Sequence, residues 1–296
     1  MRILLTGCNG MVGSWLTEQL SVSHHTVCAT SKGSNRLPLS FFHDRVTHCS
    51  LDITNVQEVE SVFQSFHPDL IIHGAAMTQV DECEQKKSIC FKVNVEGTEH
   101  LLKAAGEINA RFCYLSTDFV FSGEDGPYKE TDQTAPVNYY GQTKELAELH
   151  VMNSGLHWCI IRTILLYGKK GAMNRSSFIH WVKENLEANH PLQVVHDQIR
   201  TPTYIPDLVN GILLAAEKGA QGIFHISGLE RYTPYEMALC VANHLQLNTD
   251  LLQPVDASTF SQIGKRPQKT GFSIEKARKS LGYTPTPFIQ ALHEIF

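Results

Sequence analysis

The sequence predicts an α/β protein, a doubly wound parallel sheet with a smaller C-terminal lobe. Three observations predict it. Short apolar runs alternate with helical stretches over the first two-thirds of the 296 residues, the pattern of a parallel sheet covered on both faces. A glycine-rich turn, Thr6-Gly7-Cys8-Asn9-Gly10-Met11-Val12-Gly13, joins the first run to the first helical stretch. After Thr163 the alternation loosens and prolines accumulate, which reads as a lobe over the carboxyl ends of the strands, where ligands bind in open α/β sheets.

In order, the expected strands are Arg2–Thr6, Thr26–Thr30, Val46–Ser50, Leu70–His73, Arg111–Ser116 and Trp158–Arg162. Each is a run of four to six residues rich in β-branched or large apolar side chains. Between them, helical spacing runs over Met11–Leu20, Val56–Phe66, Ile89–Glu107 and Tyr139–Met152. Beyond Thr163, a helix is expected near Ser176–Ala188, a strand at Pro191–Val195, a helix from Asp207 to Lys218 and a strand at Gly222–Ser227 returning to the main sheet. Residues 229–296 read as helices and proline-rich turns.

A hydrophobic content of 42% with 19% charged residues describes an ordinary globular chain. The net charge of −5 gives no electrostatic reason to expect nucleic acid or an anionic membrane surface as partner. No apolar run approaches the ~18–20 residues needed to span a bilayer. The eight cysteines lie singly, with no CxxC pair, so reduced thiols in a cytoplasmic setting are expected rather than disulfides. The first strand begins at Arg2, so no targeting segment is expected. Fifteen histidines form no HExxH string or His/Cys cluster, and no metal site is expected.

Gly7, Gly10 and Gly13 follow a strand and open a helix. That context fits a dinucleotide loop, in which glycines allow the tight turn and let backbone N–H groups approach a pyrophosphate. Near the end of the second strand an NAD site usually carries an acid for the ribose hydroxyls. Here Ser31, Lys32 and Arg36 stand instead, with no acid before Asp44. Hydroxyl and cationic groups suit a 2′-phosphate, so NADP is favoured and NAD is retained as the alternative; Lys32 and Arg36 as solvated loop charges is the plain reading. Asp52 and Ile53 can hold an adenine, or Asp52 can cap the next helix, a task Thr54 or Asn55 suits better. Gly74, Ala75 and Ala76 are small enough for backbone to lie against a cofactor or for close helix packing.

Tyr140 and Lys144 stand at i and i+4 on one face of a helix. An ammonium so placed can draw a phenol down from its ordinary value near ~10, and the phenol can then give a proton to a carbonyl oxygen. Thr117, at the end of the fifth strand, can share that oxygen, or it can cap a turn.

Together these residues resemble the extended short-chain dehydrogenase/reductases, over nearly the whole chain: Thr6–Gly13, Asp52-Ile53, His73–Ala76, Asn94–Thr98, Ser116–Asp118 and Tyr140–Lys144. Within that group the strings Asp81–Glu84, Ser116–Gly123, Asp197–Thr203 and Arg266-Pro267 resemble the dTDP-4-dehydrorhamnose reductase family. The resemblance implies a Rossmann sheet of the extended type. It implies Thr117, Tyr140 and Lys144 as the catalytic set, with Gly10, Met11, Val12, Asp52, Ile53, Ala75, Ala76, Tyr140 and Lys144 lining the cofactor. Thr117 and Asp118 would touch the sugar, and Arg266 would pair with a diphosphate or remain a surface cation. On this reading, residues 1–163 with about 204–228 form the dinucleotide-binding domain, and about 164–203 with 229–296 the substrate lobe.

Two positions depart from the family. Leu165 stands where the rhamnose-forming reductases carry a tryptophan against the substrate, and Arg200 where a small residue is usual. Phe119 stands where the dehydratases of the group carry an acid, and it cannot transfer a proton. The expectation is an NADPH-dependent reductase of a nucleotide-linked 4-keto sugar, with a homodimer left open. The alternatives are an epimerase that retains its cofactor and a non-catalytic NADP-binding regulatory subunit.

Overall fold

In the computed structural model, which describes residues 1–169 and 177–296, the alternation resolves into a seven-stranded sheet. Its elements are β1 (Arg2–Thr6), α1 (Met11–Ser21), β2 (Thr26–Ser31), β3 (Val46–Ser50), α2 (Val56–Phe66), β4 (Leu70–His73), α3 (Val80–Gln85), α4 (Lys87–Phe91), α5 (Gly97–Glu107), β5 (Arg111–Thr117), α6 (Tyr139–Met152) and β6 (Trp158–Thr163). The chain continues through β7 (Leu166–Tyr167), α7 (Phe178–Glu187), β8 (Leu192–Val195), β9 (Thr203–Tyr204), α8 (Ile205–Glu217), β10 (Gly222–His225), α9 (Pro234–His244), β11 (Leu252–Val255), α10 (Glu275–Leu281) and α11 (Phe288–Ile295). The expected helix start at Ser176 lies outside the described residues.

Strand order in the main sheet is β3-β2-β1-β4-β5-β6-β10, every pair parallel. The winding reverses between β1 and β4, and this crevice is where such a fold binds dinucleotides. Side chains alternate across the sheet: Ile3 and Leu5 enter one core and Leu4 the other, as do Leu70 and Ile72 against Ile71. Helices α1, α8 and α10 cover the first face, and α2, α5 and α6 the second. Each fully buried Ile or Leu contributes about 1.5–3 kcal/mol of transfer free energy. Two-sided burial is why these strands read as continuous apolar runs.

A third core lies in the lobe. Tyr167, Ile179, Val182, Met237, Val241 and Leu292 pack together there, framed by the two-stranded pairs β8 with β11 and β7 with β9. A capping box between Thr233 and Glu236 starts α9. Among the described residues no helix is long and apolar enough to cross a membrane.

Three features depart from the sequence expectation. The single helix expected over Ile89–Glu107 is α4, a π-helical turn at Lys92–Glu96, and α5. β11 holds Pro254, which argues against a strand, but it pairs only with β8 and so lies at an edge. Residues of the 272–283 segment, expected in the lobe, join the sheet core through Phe272, Ile274, Ala277 and Leu281.

Candidate active site

The carboxyl ends of β1 to β4 gather the expected cofactor residues at one edge. Gly7 has φ 79°, and a Cβ there would stand 2.8 Å from Ala75 N. At Gly13 a Cβ would collide with the Gly7 carbonyl oxygen. The turn closes through Gly10 N–H donating to Gly7 O at 2.8 Å, and Cys8 N–H ties it to Thr30 O at 2.9 Å. The N-terminus of α1 has no side-chain cap and no acid in its first turn. Met11 and Val12 are half-buried against the sheet core. A turn with open N–H groups at a helix N-terminus, pressed against small residues of a neighbouring strand, fits a dinucleotide pyrophosphate.

Beside it runs the 31–36 loop. Lys32 Nζ ion-pairs with Asp52 Oδ2 at 2.7 Å, and Arg36 is exposed. The Ser31 hydroxyl is buried and shared between Asn9 Nδ2 (2.8 Å) and His48 Nε2 (3.0 Å). Ser31 is thus a tether of this loop rather than an open ligand group, contrary to expectation. Asn55, not Asp52, caps α2, accepting from Gln57 N and Glu58 N. Asp52 instead accepts from Thr54 N and Oγ1, and these bonds with Lys32 hold its carboxyl below the ordinary value against the opposing effect of burial. Ile53, expected on an adenine, is buried in the core beside Gly97 of α5.

Behind Gly74, Ala75 and Ala76 lies a directed hydrogen-bond chain. Thr98 Oγ1 donates to Asn94 O at 2.7 Å, so it accepts from His73 Nε2–H at 3.0 Å. His73 Nδ1 therefore accepts the Thr6 hydroxyl at 2.7 Å, and Thr6 Oγ1 accepts Ala75 N–H at 3.2 Å. Burial, with the nearby Lys144 charge, holds His73 down at about 3, so it serves as a neutral brace in one tautomer. Asn94 bonds both backbone groups of Met77, at 2.8 and 3.0 Å, and donates to Thr143 Oγ1 at 3.0 Å. The π-helical turn thereby locks onto α6.

The structure brings Thr117, Tyr140 and Lys144 together. Thr117 caps the short 3-10 turn Asp118–Val120, accepting from Phe119 N, and donates to Asp118 Oδ1 at 3.1 Å. Tyr140 is buried, its ring edge-on to Phe119 with centroids 5.7 Å apart. One expectation is overturned here. Burial drives the Tyr140 phenol well above its ordinary value, with the Thr117 hydroxyl opposing, rather than the ammonium drawing it down. The reason is geometric: Lys144 Nζ donates to Leu115 O at 2.7 Å and lies 4.0 Å from the centre of the Tyr114 ring. Burial lowers Lys144 itself to about 7, opposed by Glu148 and Cys90. Glu148 is in turn gripped by Arg162, Nε to Oε1 at 2.9 Å and Nη2 to Oε2 at 2.6 Å, both side chains almost fully buried.

Toward the lobe, two cations expected at the substrate are committed elsewhere. Arg200 is buried and donates to the carbonyl oxygens of Ile199, Gln268 and Pro267. Its Nε stands 3.8 Å from Asp118 Oδ2, which also accepts from Thr270 Oγ1 at 2.5 Å. Asp118 and Arg200 therefore stitch the end of β5 to the lobe. Burial pushes the Asp118 carboxyl up against the pull of Arg200 and Thr270. Arg266 makes a two-pronged pair with Asp81, at 2.6 and 2.9 Å, so its fork is already occupied. Leu165 has φ 26°, a left-handed conformation that costs a side-chain-bearing residue about 1–2 kcal/mol. It packs between the sheet core and the lobe core.

Sequence reasoning missed Asn9, His73, Asn94, Glu148 and Arg162 as positioning groups. Glu148 and Arg162 showed only as polar residues inside a helical or apolar run, and Asn9, His73 and Asn94 only as members of the strings that carry the resemblance, and neither signal names a partner.

The model of the RmlD substrate binding domain matches residues 1–296. A dTDP-4-dehydrorhamnose reductase of Aggregatibacter actinomycetemcomitans is 30% identical over 306 residues, covering 99% of this chain and 98% of the relative. Methionine adenosyltransferase 2 subunit beta of Mus musculus is 30% identical over 301 residues, covering 99% and 86%. Among solved structures, dTDP-4-dehydrorhamnose reductase from Bacillus anthracis in complex with NADP superposes with a TM-score of 0.84 at 28% identity, covering 100% of this chain and 98% of that one. The sheet order, the glycine turn and the Thr117–Tyr140–Lys144 group thus sit in a chain that belongs to the RmlD substrate binding domain family.

Proposed function

We propose that the protein is an NADPH-dependent reductase of a 4-keto sugar carried on a nucleoside diphosphate, of the dTDP-4-dehydrorhamnose type. The observation that carries this reading is the placement of Tyr140 with Thr117 at the carboxyl end of β5, across the switch point from the glycine turn. The named relatives and the NADP complex support it. Residues 1–163, about 204–228 and 272–283 form the dinucleotide-binding unit, and the remainder the substrate lobe. A cytoplasmic setting accords with eight free thiols.

NADPH, when bound, supplies the hydride to the sugar ketone. Gly7, Gly10 and Gly13 would hold its pyrophosphate, and Gly74, Ala75 and Ala76 would back it. Arg36 would answer a 2′-phosphate, with Lys32 paired to Asp52 beside it. Tyr140 gives the phenolic proton to the ketone oxygen, so ketone, hydride and proton together make the alcohol. Its raised pKa keeps the proton in place until transfer. Thr117 orients the oxygen and steadies its developing charge. Burial lowers Lys144 to about 7 against the opposing pull of Glu148 and Cys90, and in its protonated form it would support the phenolate left behind.

A second reading, in which the chain serves a partner enzyme as a subunit, draws on its likeness to the adenosyltransferase subunit. The deciding measurement follows NADPH oxidation with dTDP-4-dehydrorhamnose and with 4-keto sugars on other nucleotides. Oxidation with at least one is expected. None with any, from folded protein that binds NADPH, transfers the weight to the subunit reading.

A further inference from the structure

Asn9 lies inside the glycine turn, yet its side chain leaves that turn altogether. Its Nδ2 donates to Ser31 Oγ at 2.8 Å and to Ser34 O at 3.0 Å, and its Oδ1 accepts Arg36 N–H at 3.1 Å. One carboxamide therefore spends both donors and an acceptor on three residues of a single loop. That loop needs the anchorage. Residues 32 to 34 are exposed, and Gly33 has φ 80°. The two cations of the loop are not equivalent. The Lys32 charge is already answered by Asp52 at 2.7 Å, whereas Arg36 is exposed with its backbone N–H pinned by Asn9.

We infer that Asn9 is the residue that sets discrimination between a phosphorylated and an unphosphorylated adenosine ribose, by locking the 31–36 loop to the glycine turn so that Arg36 is held ready for the phosphate. This rests on the NADPH reading above. The physical reason is preorganisation: a guanidinium held by a fixed backbone loses less freedom on meeting a phosphate than one on a loose loop. NADH has no phosphate at that position and gains nothing from the lock. Asn9 acts through Arg36 and is a positioning residue.

The test is calorimetric titration of NADPH and NADH into the wild-type protein, Asn9→Ala, Arg36→Ala and the double variant, at one ionic strength and without substrate. Asn9→Ala is expected to weaken NADPH about tenfold while moving NADH less than about threefold. Arg36→Ala, an exposed change that leaves the core untouched, should lower the NADPH:NADH ratio similarly. The double variant should fall no further than the Arg36 single, because both act through one guanidinium. An unchanged ratio in Asn9→Ala, or equal weakening of both cofactors, overturns the inference while leaving NADPH as the cofactor. Additive losses in the double variant overturn it as well. A wild-type protein that binds the two equally overturns the NADPH reading itself, and the inference with it.

Discussion

Lys144 points its ammonium at the Leu115 carbonyl oxygen, 2.7 Å away on β5, although Tyr140 stands one helical turn behind it on α6. The i, i+4 spacing places the two groups on one face, but the strand below captures the lysine. Proton donation and charge support are therefore held by different neighbours, Tyr140 beside Thr117 and Lys144 above Tyr114 and Glu148.

If Tyr140 is the acid, Tyr140→Phe lowers kcat by about 10²–10⁴-fold. NADPH affinity stays within a few-fold, because the phenyl ring keeps its packing on Phe119. Single-turnover kinetics beside calorimetric titration separate the two effects. A Phe variant with half the wild-type kcat removes Tyr140 from its role.

Lys144 makes stability depend on pH in a defined direction. Its folded value of about 7 lies below the ordinary lysine value near ~10.4. Between these limits the unfolded chain binds more protons than the folded one, so stability rises with pH, by at most about 1.4 kcal/mol per unit. Below the window both states are charged and the slope vanishes. Urea unfolding of the wild-type protein and Lys144→Met at about pH 7 and about pH 9.5 should show the relative advantage of the Met variant shrinking as pH rises. A constant difference contradicts a folded Lys144 value lowered by burial.

The Glu148–Arg162 pair is almost fully buried with bidentate geometry. Glu148→Gln leaves the guanidinium without a counter-charge and should lower stability by about 3–5 kcal/mol. Replacing both by Met should recover most of that loss, since an apolar pair of similar volume is often neutral. Thermal unfolding of the three variants checks it. A double variant less stable than the single shows that the pair contributes more than mutual neutralisation.

Arg200 and Arg266 separate a buried clamp from a rim contact. Arg200→Ala takes away a guanidinium that bonds three carbonyl oxygens and faces Asp118, and an unfolding free-energy loss of about 3–5 kcal/mol is expected. Arg266→Ala breaks a pair whose Asp81 side chain is 41% exposed, so less than about 1 kcal/mol is expected. Denaturant midpoints with unchanged m-values give both numbers. Equal losses would mean the two arginines are not distinguished by burial.

The sequence alone determined the layout. Strand and helix periods placed β1 to β6 and α2 and α6 to within a residue, because burial on both faces demands apolar runs in the inner strands and a helix demands a 3.6-residue repeat. It also located the glycine turn and the Tyr140–Lys144 pair, since a tight turn and a short i, i+4 spacing are local properties of the chain, whereas Thr117 meets Tyr140 only through the fold. Tertiary structure decided who touches whom. Ser31 was legible as a hydroxyl near a cofactor loop, yet Asn9 and His48 claim it. Arg200 and Arg266 were legible as cations, yet Asp118, three carbonyl oxygens and Asp81 claim them. The direction of the Tyr140 and Lys144 shifts was likewise settled by burial. Partners far apart in sequence meet only when the sheet closes, and the cost of removing a charge or phenol from water exists only once that packing is complete.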